Sequence, residues 1–179
     1  MPMPRGRTKS WRYKRILKLI DRVVDNEDKI MDGITLPTEV EYIVFTDASI
    51  QGHQGPASIG IIISNREGKI LLSQAYQIDD QEFFGDINRL EGFTTFVGMQ
   101  FVPFDPILIV SDNEQVVDSI KRVNAGYDPA KKKRNSDLWI EIAAFINSHP
   151  GVYAQWVRAR SYNLGNIRAD QIAHKKRRD

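Results

Sequence analysis

Between Glu41 and Gln77 three β-rich runs follow one another with only short turns between them, and from Asn88 the apolar spacing becomes helical. That switch of period, from 2 to 3.6, constrains the fold more than any other feature, because three closely joined strands are most simply an antiparallel meander. The first run, Glu41–Ser49, contains Tyr42-Ile43-Val44-Phe45, which is apolar on both faces and so predicts a buried central strand. A Gly-rich turn over Gln51–Pro56 leads to a second strand at Ile59–Ser64. A turn around Gly68 leads to a third at Ile70–Gln77.

After the meander, Leu90, Phe93, Val97 and Phe101 predict a helix over Asn88–Phe101, weakened by Gly92 and Gly98. Pro103 and Pro106 bracket its exit. Ile107–Ser111 is a short, wholly apolar strand, followed by a helix from Asp112 to Val123. A basic loop follows, then a helix capped by Ser136 that carries Leu138, Trp139, Ile142, Ala143 and Ile146. Val152–Val157 makes a fifth strand, and Asn166–Lys175 a final helix. The expected order is βββαβααβα, an α/β domain in which helices flank a mixed five-stranded sheet, three strands antiparallel and then two parallel.

At 179 residues the chain is long enough for one such domain but short for two. It contains no cysteine, which excludes disulfides, thiolate metal sites and a cysteine nucleophile. No apolar run reaches the length of a membrane span, and the N-terminus lacks the apolar stretch of a secretory signal, so an intracellular, cytoplasmic location is the default expectation. Charge is sharply segregated. Residues 1–20 hold seven cations and no acid, while Lys131–Arg134 and Lys175–Arg178 add four each, together 15 of the 25 cations. Residues 21–130 carry 19 acids against seven cations. Cationic stretches around an acidic middle suggest a polyanionic partner, nucleic acid above all.

Four of the acids stand out by position: Asp47 at the end of the first strand, Glu91 early in the following helix, Asp112 where the fourth strand meets its helix, and Asp170 one turn into the last helix. Strand ends and helix starts are where open α/β sheets build their sites. Taken singly, Asp112 serves equally as an N-cap, Glu91 and Asp170 as acids matched to a helix dipole, and Asp47 as a turn former. Their neighbours, however, form a pattern of their own.

The stretches Phe45-Thr46-Asp47-Ala48-Ser49, Asn88-Arg89-Leu90-Glu91, Ser111-Asp112-Asn113, Ser136-Asp137-Leu138-Trp139 and Gly165-Asn166-Ile167-Arg168-Ala169-Asp170-Gln171-Ile172-Ala173 resemble type 1 ribonuclease H, in that family's order and over roughly residues 40–176. The resemblance implies a metal-dependent endonuclease that cuts the RNA strand of RNA–DNA hybrids and leaves 5′-phosphate and 3′-hydroxyl ends. It carries the catalytic, metal-holding carboxylates over as Asp47, Glu91, Asp112 and Asp170. Two Mg²⁺ ions, or Mn²⁺ in their place, are implied, with Asp47 bridging both, Glu91 and Asp112 on one ion and Asp170 on the other. Crowded carboxylates suit this chemistry, since they repel one another until hard cations neutralise them.

The same resemblance implies substrate contacts at Asn88, with Gln54 and Asn113 as further candidates. Where the family often carries a histidine in the loop after the fifth strand, this chain has Arg160, which is suited to holding a phosphate but not to moving a proton near neutral pH. A shorter basic loop, Lys131, Lys132, Lys133 and Arg134, stands where many bacterial relatives insert a helix and basic handle.

Residues 1–39 fall outside the resemblance. They are expected to form a basic extension, with one helix over about 10–26 and a linker over about 27–39, followed by the catalytic domain at 40–179. Arg12, Lys14 and Arg15 are candidate nucleic-acid contacts. The apolar stripe beside them (Trp11, Ile16, Leu19, Ile20, Val23) suits the domain surface, a protein partner or a second copy. Two other readings remain open on sequence alone: a nuclease of the same fold acting on branched or double-stranded DNA, and a nucleic-acid-binding module without catalysis.

Overall fold

In a computed structural model, which describes residues 30–53, 55–159 and 163–178, the chain forms a five-stranded sheet with helices on both faces. Strands β1 (Tyr42–Ile50), β2 (Ala57–Asn65) and β3 (Ile70–Ile78) make the expected meander. Helix α1 (Ile87–Gln100), strand β4 (Ile107–Ser111), helices α2 (Glu114–Asn124) and α3 (Ser136–Ser148), strand β5 (Val152–Trp156) and helix α4 (Leu164–Arg178) follow. Spatially the order is β3-β2-β1-β4-β5. β1 pairs antiparallel with β2 and parallel with β4, and β5 extends the parallel half. Among the described residues no helix is long and apolar enough to cross a membrane.

The alternation of β1 sorts its side chains between two cores. Val44 and Ala48 join Ile59, Ile61, Ile63, Ile107 and Ile109 beneath α1, α2 and α3. Ile43 and Phe45 join Ile62, Leu108 and Val110 on the face where α4 contributes Ile167 and Ala169. Two of the helices, α1 and α4, sit close where a glycine permits it. A Cβ on Gly98 would lie 2.8 Å from Val44 Cγ1, so the residue that weakens α1 as a helix is what lets it settle on β1. A Cβ on Gly60 of β2 would lie 2.2 Å from the Ala169 carbonyl oxygen, which brings α4 down beside the end of β1.

Several boundaries differ from those the sequence suggests. α2 begins two residues later than Asp112, because Asn113 is its N-cap and accepts a bond from Val116 N–H at 3.2 Å. Asp112 therefore stands before the helix, in the bend that follows β4. Ser136 is the first residue of α3 rather than its cap. Asn135 holds the cap position at φ +56° with no side-chain cap bond, its amide drawn instead to Asp86 (3.2 Å) and Arg89 (3.3 Å). α4 starts at Leu164 and runs to Arg178, longer at both ends than its apolar spacing marked.

The expected linker is the largest surprise. Ile30 is 1% and Val40 0% exposed, and Met31, Ile34 and Leu36 pack against the α4-side core. The described part of that segment, residues 30–39, lies on the sheet. The expected helix over 10–26, with Arg12, Lys14 and Arg15, lies outside the described residues.

Candidate active site

The site grows from the point where β1 passes between the two cores. Alternation puts Asp47 on the Phe45 side, while Glu91 comes from α1 on the other side. They meet at the Ala48 amide, which donates to Asp47 Oδ1 at 2.8 Å and to Glu91 Oε1 at 3.1 Å. Glu91 is the fifth residue of α1, one residue deeper than the expected helix start at Asn88 places it. Asp112, in the bend between β4 and α2, completes a triad. One carboxylate oxygen from each of Asp47, Glu91 and Asp112 lies within 4.8 Å of the others.

Asp170 approaches from α4, and its charge acts on both Asp47 and Glu91. Beside it, His174 brings Nδ1 to 3.1 Å from Asp170 Oδ1. Trp156, the last residue of β5, donates its indole N–H to the Asp112 carbonyl at 3.0 Å and leaves its ring 45% exposed next to the cluster.

Burial makes these charges expensive. Asp47 is 5% and Glu91 4% exposed. Burial first, then the neighbouring carboxylates Glu91, Asp112 and Asp170, pushes Asp47 well above the usual carboxylate range. Burial likewise lifts Glu91 to about 8, against the lowering effect of its hydrogen bond to Asp47, with Asp112 and Asp170 adding repulsion. Glu91 Oε2 is buried with no hydrogen-bond partner. A buried acceptor without a donor, facing other carboxylates, is a strained arrangement for a protein alone and a good one for a hard cation with oxygen ligands. The donor set therefore fits a divalent ion of the Mg²⁺ or Mn²⁺ kind.

A second region of opposite sign opens beside it. A groove of about 540 Å³ runs between α1, α2 and the loop before α3, bordered by Asn88, Arg122, Tyr127, Trp139 and the run from Lys131 to Arg134. Asn88 and Asn113 meet at its end, with Asn113 Nδ2 donating to Asn88 Oδ1 at 2.9 Å. Lys132 is the structural member of the run: Nζ donates to Ser119 Oγ at 2.9 Å and stands 5.2 Å from the centre of the Trp139 ring. Its pKa is lowered by burial and by Arg122. Lys131, Lys133 and Arg134 remain exposed. Arg89 fastens α1 to the start of α3, with NH1 and NH2 on the two carboxylate oxygens of Asp137 at 3.0 and 2.8 Å, and NH2 also meets Glu82 at 2.7 Å.

With the geometry in place, the chain can be set beside known proteins. The family model for RNase H matches residues 39–178. The chain belongs to the ribonuclease H family. It is accordingly an endoribonuclease. Ribonuclease H of Trichodesmium erythraeum is 30% identical over 144 residues, covering 75% of this chain and 87% of that protein. Ribonuclease H of Alcanivorax borkumensis is 27% identical over 146 residues, covering 74% and 89%.

Among solved structures, LC11-RNase H1 in complex with RNA/DNA hybrid superposes with a TM-score of 0.61 at 18% identity, over 77% of this chain and 97% of that one. RNase H1 of Halobacterium salinarum gives 0.59 at 16% identity, over 75% and 96%. These ribonuclease H structures share the fold.

The structure thus brings together Asp47, Glu91 and Asp112 of the four carboxylates named from sequence, with Asp170 on α4 near enough for its charge to act on Asp47 and Glu91, and separately Asn88, Asn113 and Lys131–Arg134. Gln54 and Arg160 lie outside the described residues. Sequence reasoning missed His174, whose signal was its place four residues after Asp170 on one helix face. It also missed Arg122 and Tyr127, which nothing in the sequence marks as neighbours of the basic run, and the indole bond from Trp156 to Asp112.

Proposed function

We propose that this ribonuclease hydrolyses the RNA strand of RNA–DNA hybrids with two divalent cations, Mg²⁺ or Mn²⁺, held by Asp47, Glu91, Asp112 and Asp170. The observation that carries the reading is the packing of Asp47 and Glu91, both almost fully buried, against Asp112 with oxygens within 4.8 Å. Nothing in stability explains such a cluster, since removing any one of its charges relieves the rest. When bound, the ions supply an activated water for in-line attack on phosphorus and stabilise the departing 3′-oxygen, which leaves 5′-phosphate and 3′-hydroxyl ends.

The chain's own residues do the rest. Ala48 N–H holds Asp47 and Glu91 in register, and the Trp156 indole fixes the Asp112 main chain. Asn88 and Asn113 offer amides at the border between cluster and groove, where a minor-groove 2′-hydroxyl is within the chemistry of an amide side chain. Lys131, Lys133, Arg134 and Arg160 bind backbone phosphates, and Arg12, Lys14 and Arg15 extend that grip along the substrate. The test is one panel: matched RNA–DNA, RNA–RNA, DNA–DNA and four-way-junction substrates, each with Mg²⁺, Mn²⁺ or EDTA. Cleavage confined to the RNA strand of the hybrid and abolished by EDTA is expected. Preferential cutting of the junction or of duplex DNA would replace the substrate, and binding without cutting would overturn the catalytic reading.

A further inference from the structure

α4 lies over β1, β2 and β3, which leaves β4 and β5 to be covered on that face by something else. Residues 30–40 cover them. Ile30, Val40, Met31, Ile34 and Leu36 belong to the same core cluster as Leu108 and Val110 of β4, Tyr153 of β5 and Val157 just beyond it. The family match begins at residue 39, so nearly all of this strap is additional to the matched domain.

Residues 37–40 are held by Arg66, which donates to the Pro37, Thr38 and Val40 carbonyls, and by Tyr153, which donates to Glu39. Residues 30–36 are held by side chains at two further places, and each leads to a different carboxylate. At the first, Asn163, which is 3% exposed, spends both halves of its amide. Nδ2 donates to the carbonyls of Ile30 (2.9 Å) and Asp32 (3.2 Å), while Oδ1 accepts from Asn166 N–H at 2.9 Å in the first turn of α4. One side chain thus ties the strap to the start of the helix that carries Asp170. At the second, Gln155 of β5 accepts from Thr35 N–H at 2.8 Å and donates to the Gly33 carbonyl at 2.6 Å. Its neighbour Trp156 holds the Asp112 carbonyl.

We propose that residues 30–36 act as a brace which, through Asn163 and Gln155, sets the positions of Asp170 and Asp112 relative to Asp47 and Glu91, with Asn163 and Gln155 as positioning residues. The central pair needs no such help, since one amide of β1 holds both. Asp170 lies in the second turn of α4, whose start Asn163 ties to the strap, and Asp112 lies in the bend after β4, held through its carbonyl by Trp156 of the edge strand β5. β5 has a strand on one side only and packs on α2, and Gln155 adds a tie to the strap just before Trp156. Asn163 adds the corresponding tie at the start of α4. Partners that orient a ligating carboxylate act on metal affinity rather than on substrate affinity.

The proposal rests on the reading of the four carboxylates as a metal centre, and its test is chosen to separate the two. Full-length Asn163→Ser, Gln155→Leu and the double variant are titrated calorimetrically with Mn²⁺ alone, without nucleic acid, and hydrogen exchange is followed at residues 30–36. Serine keeps an acceptor for α4 but cannot supply both donors to the strap. Leucine fills the space of Gln155 without its bonds. The double variant is expected to bind Mn²⁺ about tenfold more weakly, the lower end of what such partners contribute. Cleavage is expected to recover at saturating metal, with KM for the hybrid unchanged.

Strap amides that lose protection while Mn²⁺ affinity stays at the wild-type value would overturn the brace and leave the strap as a cover for apolar surface. Should the double variant fail to fold, Gln155→Leu alone, at a half-buried position, decides the matter through a shift of about threefold or its absence. Wild-type protein that binds Mn²⁺ but spares the hybrid would sink the proposed substrate and leave the brace standing. Wild-type protein that binds no Mn²⁺ would overturn both.

Discussion

The acidic cluster and the basic groove are neighbours on one helix, with Glu91 facing the first and Asn88, less than a turn away, bordering the second. They are built on opposite principles. The acids are buried, crowded and mutually repelling, so each costs stability and is kept for what it holds. Lys131, Lys133 and Arg134 are solvated, cost the fold little, and act only when a polyanion arrives. The comparison teaches which measurement to expect each region to move: chemistry rises and stability falls with the acids, whereas binding alone follows the exposed cations.

The largest effect is expected from Glu91→Gln, which should lower kcat about a thousandfold or more by removing a charged ligand from the reacting centre. Its metal-free melting temperature should rise, because one member of a buried repelling group is gone. A lowered melting temperature with retained cleavage would erase the contrast between the regions.

Next comes pH. Asp47 and Glu91 are held above their unfolded values, Glu91 at about 8, so the folded metal-free chain keeps protons that the unfolded chain has already released. Their contribution to stability is therefore fully present below the unfolded values, 3.8 for Asp47 and 4.5 for Glu91, and that of Glu91 is lost as pH rises toward 8. Metal-free melting temperature should fall over that window, and saturating Mg²⁺, which replaces the protons, should flatten the fall. A flat metal-free profile would show that the carboxylates do not carry this burden.

Smaller effects are expected on the basic side. Replacing Lys131, Lys133 and Arg134 together by Ala should raise KM while leaving kcat and melting temperature unchanged. The log–log salt slope of binding should shrink by about 0.9 for each duplex phosphate that the variant no longer neutralises. Equal affinity at every salt concentration would remove the groove from the binding surface. Lys132→Ala sharpens the comparison within the run, since its bond to Ser119 and its place over Trp139 make it structural. It should cost about 0.5–1 kcal/mol of stability, read by chemical denaturation, where the other three cost none.

Much of this was legible beforehand for reasons that can be named. The meander showed because three β-rich runs are joined by short turns, its central strand because Tyr42–Phe45 is apolar on both faces, and the four acids because each stands within a recognisable family stretch. Less legible were features that depend on partners distant in sequence. Asn135 displaced Ser136 with its amide bonded to Asp86, a partner that no local spacing encodes, whereas Asn113 rather than Asp112 caps α2 by a local bond from Val116 N–H, of a kind that either residue's side chain can accept. The strap went unseen because Asp32-Gly33 and Pro37 look like a linker. Its apolar residues (Ile30, Ile34, Leu36) have a purpose only once α4 is known to leave β4 and β5 uncovered on one face.

The central claim is that the buried carboxylates exist to hold divalent cations for RNA-strand cleavage, and Asp47→Asn in the full-length chain tests it most directly. Asparagine keeps the shape and an acceptor for Ala48 N–H but removes the charge at the centre of the cluster. Cleavage of an end-labelled RNA strand in a matched hybrid is measured at saturating Mg²⁺, beside metal-free thermal unfolding of the same preparation. The account expects cleavage to fall by about a thousandfold or more, with a cooperative transition at an equal or higher melting temperature. Full activity in the folded variant would contradict it.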